Sequence, residues 1–360
     1  MTQDTIVRRV LDFIDLGDAS DDAFNELALL LFEYQFQHNR PFAKFARTRG
    51  KTPRSVTHWS EIPAVPINAF KFLDLTCCRP EDAVAVFMTS GTTQKGRRGK
   101  SHHASLAVYN ASMRHNFAER LMRGDHNLDM GILFPTPEAM PHSSLAHYLD
   151  IAMRSFGSAN SENLMRSDGI DVPRLMGALE RAEATGTPYA LLGASFSLVH
   201  AMDALQAQNR RFQLPPGSRI LDTGGFKGQS RELEPDAFYD ALSDAFGVPR
   251  RDCIGMYGMT ELSTQFYDNG NADCPAPKSG PHWIRSRVVN PLTTMPVPKG
   301  ETGVLLHTDL AHYNIVTSIL TEDAAIETDE GFLLLGRVEG AEAVGCSMAV
   351  DAFLQAASAI

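Results

Sequence analysis

The chain has 360 residues, 43% of them hydrophobic, and carries 43 acidic against 33 basic side chains for a formal charge of −10. That length allows one large or two ordinary domains with ample core, and the acidic balance argues against nucleic acid as a partner. No stretch approaches the roughly 18 to 20 apolar residues of a membrane span, the longest early run being Leu27 to Phe32.

The N-terminal MTQDTIVRRVLDFID mixes acids and bases among its apolar residues and holds no signal-peptide core, which predicts a cytoplasmic protein. Apolar residues recur at helical spacing over 3–16 (Ile6, Val10, Phe13, Ile14) and 21–38 (Phe24, Leu27, Leu30, Leu31, Tyr34), with Ser20 or Asp21 as cap and a break at Pro41. Thr52 to Pro66 carries three prolines in an extended pattern that meets Phe70 and Phe72, and reads as a scaffold wrap. Five cysteines, Cys77, Cys78, Cys253, Cys274 and Cys346, are odd in number and lack CxxC spacing, so neither disulfides nor a zinc site is expected.

Ala83 to Met88 has the composition of a buried strand and empties into Thr89, Ser90, Gly91, Thr92 and Thr93. Glycine lets successive N–H groups converge and the hydroxyls donate to phosphate oxygens. Lys95, Arg97, Arg98 and Lys100 add the positive charge a polyphosphate needs. Beyond this anion-binding loop, Ser105 to Arg123 reads as a helix, and Met130 to Phe134 as a strand ending in Pro135–Thr136–Pro137. His142 and Ser143 follow as candidate substrate-pocket residues, against the alternative that Ser143 or Ser144 caps a helix bearing Leu145, Tyr148 and Leu149. His102 and His103 read as ordinary loop residues.

Helices at Arg174 to Ala184 and Ser197 to Gln208 alternate with strands at Tyr189 to Leu192 and Arg219 to Leu221, the last opening into Asp222, Thr223, Gly224 and Gly225. Such alternation predicts an α/β fold of parallel strands and crossover helices, with ligands at the carboxyl ends of strands. In DCIGMYGMTELSTQFYD, Asp252 to Asp268, another short strand ends in Gly-Met-Tyr-Gly before Thr260 and Glu261. Tyr257 offers an aromatic face for a base, Thr260 a hydroxyl for phosphate, and Glu261 a hard carboxylate for magnesium.

Together these residues resemble the superfamily of adenylate-forming ligases, whose signatures are TSGTTG-x-PK and, far downstream, YG-x-TE, here Thr89 to Thr93 and Tyr257 to Glu261. Asp323 in LTEDAA and the pair Gly336–Arg337 match the family's ribose-binding aspartate and hinge-side Gly-Arg. The resemblance implies the large N-terminal domain of that fold, with ATP and Mg2+ as cofactors. It implies that Gly224 and Gly225 lie along adenine, Tyr257 stacks on it, Glu261 binds magnesium, and Asp323 and Arg337 hold ribose. Gln94 stands where the family has glycine, the proline is absent, and Arg97 occupies the lysine position.

The chain ends at Ile360 without the family's usual mobile C-terminal domain, which implies a catalytic domain over 1–335 and a short tail over 336–360. This short form, the string YGMTELSTQFYD and the segment Gly345 to Ser347 are similar to the LuxE-type acyl-protein synthetases. That likeness implies activation of a fatty acid to acyl-AMP and transfer to a cysteine, here Cys346, from which an acyl reductase partner takes the acyl group. Read structurally, Cys346 would instead be inert filler in a final strand Ser347 to Val350; against that reading, Gly345 would leave the backbone free to swing the thiol. Alternative readings are delivery to coenzyme A or another small thiol or amine, and a nucleotide-binding homologue without catalysis. A P-loop kinase is set aside because Gly91 and Gly96 are followed by Arg97 instead of lysine.

Overall fold

A computed structural model describes residues 2–90, 97–226, 228–338 and 340–358. The chain divides into two compact units that interleave in sequence. The first comprises Met1–His115, Met259–Thr264 and Ser279–Ile360, the second Asn116–Gly258 and Gln265–Lys278.

The second unit holds the alternating pattern. Its six-stranded sheet runs Phe266–Tyr267, Cys253–Tyr257, Arg219–Thr223, Tyr189–Ala194, Asp129–Leu133, Glu162–Asn163, and every pairing except the first is parallel. Helices Val172–Thr185, Ser195–Ala207 and Pro235–Phe246 bury Leu175, Leu179, Leu198, Leu205, Phe238 and Phe246 in one cluster with Leu191 and Ile220 of the sheet. Each such side chain contributes about 1.5–3 kcal/mol on burial, and parallel strands need this cover. Helix Ser144–Phe156 adds Tyr148, whose hydroxyl bonds that of Tyr267 and whose ring meets Phe117 at 6.1 Å.

In the first unit the helices Gln3–Ile14 and Asp21–His38 match their apolar spacing, and Ser20 caps the second by accepting from Ala23 N at 3.2 Å. Pro41 does mark a break, but as the first turn of a third helix, Arg40–Thr48, capped by Asn39. The fixed φ of proline suits that position. The sheet here is mostly antiparallel: Val65–Pro66 pairs in parallel with Ser318–Glu327, which pairs antiparallel with Thr302–Asp309 and with Phe332–Arg337, and Ile284–Val289 closes the edge.

The terminal segment is a helix, Gly340–Ser358, and belongs to this first unit. Phe353 is fully buried against Phe45 with ring centroids 4.6 Å apart, and Lys44 Nζ donates to the Ala357 carbonyl at 3.2 Å. Cys346 joins Val289, Val304, Leu306 and Leu320 in a core cluster, 2% exposed. The residues read as a final strand are helical, and Gly345 has a different use. A methyl group there would lie 3.1 Å from Pro291 Cγ, so glycine permits close packing of the helix. Among the described residues no helix is long and apolar enough to cross a membrane.

Candidate active site

The strand Ala85–Met88 does not end in an isolated loop. The chain returns as Lys100–His103, antiparallel, with Phe87 opposite Ser101 and Met88 opposite Lys100. The hairpin stem closes at Thr89 and Gly99: Thr89 N donates to the Gly99 carbonyl at 3.0 Å, and Gly99 N to Thr89 Oγ1 at 2.9 Å. Gly91, Thr92, Thr93 and Lys95 lie outside the described residues; Ser90 is exposed. Arg98 is engaged in the stem, its Nε donating to the Thr89 carbonyl at 2.5 Å and its Nη2 to that of Met88 at 3.3 Å. The Arg97 guanidinium lies over the Phe72 ring at 5.6 Å, and Lys100 is exposed on the return strand. His102 and His103 are strand residues rather than loop residues, and both are buried. His102 Nε2 meets Asp74 Oδ1 at 3.0 Å, and its carbonyl accepts from Asn314 at 3.0 Å.

Glu261 is 5% exposed and borders this stem. A methyl group on Gly99 would approach its Oε1 to 3.3 Å and Phe70 Cβ to 3.4 Å. Burial pushes the Glu261 carboxyl up to about 7; backbone hydrogen bonding and the cations Arg337 and Lys71 pull it down, and Asp323 pushes it up. A buried carboxylate shifted by desolvation and by specific charge partners is a candidate functional position.

Asp323 and Arg337 face each other across paired strands, with Arg337 Nε 3.3 Å from Asp323 Oδ1 and Arg337 Nη1 3.6 Å from Glu322 Oε2. The structure thus brings Glu261, Asp323 and Arg337 together. Thr260, half-buried, immediately precedes Glu261. Two residues missed in the sequence support the group. Asp309 accepts from Ser263 N and Thr264 N at 2.9 Å, Thr264 Oγ1 at 2.8 Å and Ala311 N at 3.0 Å, anchoring the segment that carries Glu261. Lys71 follows Phe70 in a region read as a plain wrap.

In the second unit Gly224 and Gly225 leave the strand Arg219–Thr223 with φ of +75° and +66°, a backbone that favours glycine. Tyr257 ends the neighbouring strand, its ring 5.8 Å from Phe266. One signal went unused: Asp222, just before the glycines, is pushed up to about 6 by burial. Ser143 is the N-cap of its helix, accepting from Ala146 N at 3.2 Å, and His142 is exposed. Cys346 Sγ lies 3.7 Å from the Thr321 carbonyl, two residues along the strand from Asp323. A shallow recess beside Cys346 is lined by Pro66, Ile67, Asn68, Thr321, Glu322 and Val350.

The fold is that of the adenylate-forming ligases among the solved structures. A 2-hydroxyisobutyryl-CoA ligase solved with its acyl-AMP and CoA matches over 88% of this chain and 74% of its own, at a TM-score of 0.63 and 16% identity. ATP-bound MatB from Rhodopseudomonas palustris matches over 72% of this chain and 49% of its own, at 0.52 and 15%. Residues 13–354 match the family described as acyl-protein synthetase, LuxE, and the chain belongs to that family. It is a ligase, similar to the long-chain-fatty-acid–luciferin-component ligase of Vibrio harveyi, 21% identical over 83% of this chain and 78% of the relative.

Proposed function

We propose that this protein uses ATP and magnesium to activate a long-chain fatty acid as acyl-AMP, then passes the acyl group to Cys346 for collection by an acyl reductase. The observation that carries the reading is the convergence of Glu261, Asp323, Arg337 and Lys71 beside the hairpin stem at Gly99. The substrate class follows the Vibrio harveyi relative, and the adenylate and nucleotide follow the ligands of the two solved ligases.

In the first step a carboxylate oxygen bonds to the α-phosphorus, the bond from that phosphorus to its bridging oxygen breaks, and pyrophosphate leaves with the electron pair. The negative charge that develops calls for cations already in place. Ser90, Arg97 and Thr260, with Gly91, Thr92, Thr93 and Lys95, are assigned to the phosphates. Asp323 and the neighbouring Arg337 are assigned to the ribose, with Asp323 accepting from its hydroxyls. Gly224, Gly225 and Tyr257 are assigned to adenine, His142 and Ser143 to the acyl side. Glu261 suits magnesium, which binds through one or two carboxylates plus substrate phosphates and would supply charge between phosphate oxygens. In the second step the Cys346 thiolate attacks the acyl carbon and AMP departs.

The burial of Cys346 favours a second reading, in which a small thiol such as coenzyme A, or an amine, receives the acyl group. One assay separates the two. We expect fatty-acid-dependent ATP–pyrophosphate exchange, lowered roughly 10²-fold or more in Glu261→Ala. With ATP, magnesium and fatty acid we also expect one hydroxylamine-labile acyl mass, mapped to Cys346. Exchange without the adduct, or an adduct surviving in Cys346→Ser, moves the acceptor elsewhere; no exchange with any carboxylic acid sinks the whole reading.

A further inference from the structure

We propose that Lys71 is a catalytic residue of this site, its ammonium contacting the β- and γ-phosphates of ATP and the pyrophosphate that leaves. The inference rests on the ligase reading above and adds a residue that the superfamily signatures do not contain.

Its placement follows from its two neighbours. Phe70 packs against the hairpin stem, its Cβ 3.4 Å from where a methyl group on Gly99 would sit, a point 3.3 Å from Glu261 Oε1. On the other side, the Phe72 ring lies under the Arg97 guanidinium at 5.6 Å. Lys71 therefore lies between Phe70, which borders the stem, and Phe72, which meets Arg97 of the adjoining loop, at the end of a short turn, Ile67–Lys71. It is half-buried, and among the described residues it has no hydrogen bond or ion pair. Of the other described cations near the stem, Arg98 is bonded to two of its carbonyls, Arg97 rests on an aromatic face, Arg337 pairs with Asp323 and Glu322, and Lys100 is exposed on the return strand.

A lysine whose stem is partly covered and whose ammonium makes no hydrogen bond or ion pair among the described residues is placed to meet an anion during the working cycle. Its field already reaches the buried Glu261 carboxylate. An anion placed at the stem beside both groups would be a magnesium-bound polyphosphate, which satisfies the carboxylate through the metal and the ammonium through phosphate oxygens. In the adenylation step no proton need move at Lys71. It donates hydrogen bonds to the pyrophosphate as the bridging oxygen takes up the electron pair, which stabilises the transition state more than the ground state.

The test compares wild type, Lys71→Met and Lys71→Arg by calorimetry with α,β-methylene-ATP and with AMP, each with and without magnesium, alongside pyrophosphate exchange. A charged hydrogen bond to phosphate translates into about a 10- to 150-fold loss of affinity for the triphosphate analogue in Lys71→Met, with AMP affinity within about twofold. Exchange should fall roughly 10²-fold or more, and Lys71→Arg should restore part of both. Equal losses for AMP and the analogue would make Lys71 a structural residue and overturn the assignment. A loss seen only with magnesium would place its action on Glu261 and also overturn the direct contact. If Lys71→Met does not fold, Lys71→Arg decides: a partial loss of analogue affinity and of exchange with AMP affinity unchanged is required of it, and a loss shared equally by AMP overturns the assignment. Wild type that exchanges yet loses nothing in Lys71→Met overturns this assignment alone, whereas wild type that exchanges nothing overturns the ligase reading and this assignment with it.

Discussion

Asp222 shows what a single buried charge costs this protein. Its carboxyl sits among Tyr239, whose hydroxyl donates to Oδ2 at 3.3 Å, and the Asp268–Lys278 pair, while Oδ1 has no hydrogen-bond partner among the described residues. Burial raises it from 3.8 to about 6, an effect that hydrogen bonds and Lys278 only partly offset. The folded state holds this proton more tightly than the unfolded chain, so the stabilisation is complete below the unfolded value and is lost as pH rises through about 6. Such a shift corresponds to about 3 kcal/mol in total, roughly half of it falling between pH 5 and pH 8. We expect Asp222→Asn to gain on wild type by about 1.5 kcal/mol between those two pH values in denaturant unfolding. An unchanged difference would show that the carboxyl titrates normally.

Residues of this kind mark the limit of reading chemistry from sequence. Glu261, Asp323 and Arg337 were legible because their motifs travel as strings with ordered spacing. Lys71 and Asp309 were not, since each is placed by neighbours that only the fold brings close: Lys71 by the packing of Phe70 on Gly99, Asp309 by backbone donors 45 and 46 residues upstream.

Among elements, the segment Met259–Thr264 is the most informative. It belongs to the first unit although the strands on either side, Cys253–Tyr257 and Phe266–Tyr267, pair with each other in the second. Asp309, at the end of Thr302–Asp309, holds it through three of its four accepted bonds, with Ser263 Oγ bonded to His312 Nδ1 at 2.9 Å nearby. Bonds to a buried carboxylate contribute about 1.5–3 kcal/mol each and are not additive. We expect Asp309→Ala to lower stability by about 3 kcal/mol or more, because buried N–H groups lose their acceptor. Exchange should fall at least about 10-fold even where the protein is fully folded, since Glu261 would lose its anchorage. Full activity of the folded variant would show that Glu261 is positioned otherwise.

Helices with caps and clean periodicity, such as Asp21–His38, were legible, and so was the parallel sheet. The antiparallel sheet of the first unit was not, because Ile284–Val289 and Thr302–Asp309 interleave arginines, histidine and threonines whose burial depends on tertiary partners. The terminal helix was missed for a related reason. Gly345 and Ser347 weaken its helix propensity, and packing on Arg40–Thr48 overrides them.

At the scale of the whole molecule, the interleaving of the two units leaves the first one sewn together from three stretches of chain, the last of which ends in the helix Gly340–Ser358. That helix carries Cys346 on its buried face and is held by Phe353 on Phe45 and by Lys44 on the Ala357 carbonyl. A thiol 2% exposed in a packed cluster has no room for an acyl chain, so an acylated cysteine and a seated helix are mutually exclusive states. Seating therefore acts as a clock on the thiol. If it is worth about 3 kcal/mol, the sulfur is open to reagent in roughly one molecule in 150. Alkylation of Cys346, followed by peptide mapping, should then run about 10²-fold slower than in denatured chain. Phe353→Ala, a truncation costing about 3–5 kcal/mol, should bring it close to the denatured rate. Rapid labelling of the wild type would mean that the helix keeps no time at all. If the clock runs as expected and Cys346 is the acceptor proposed above, a loaded protein would carry its cargo as an undocked arm, and a partner could tell a charged molecule from an empty one by touch, before any chemistry begins.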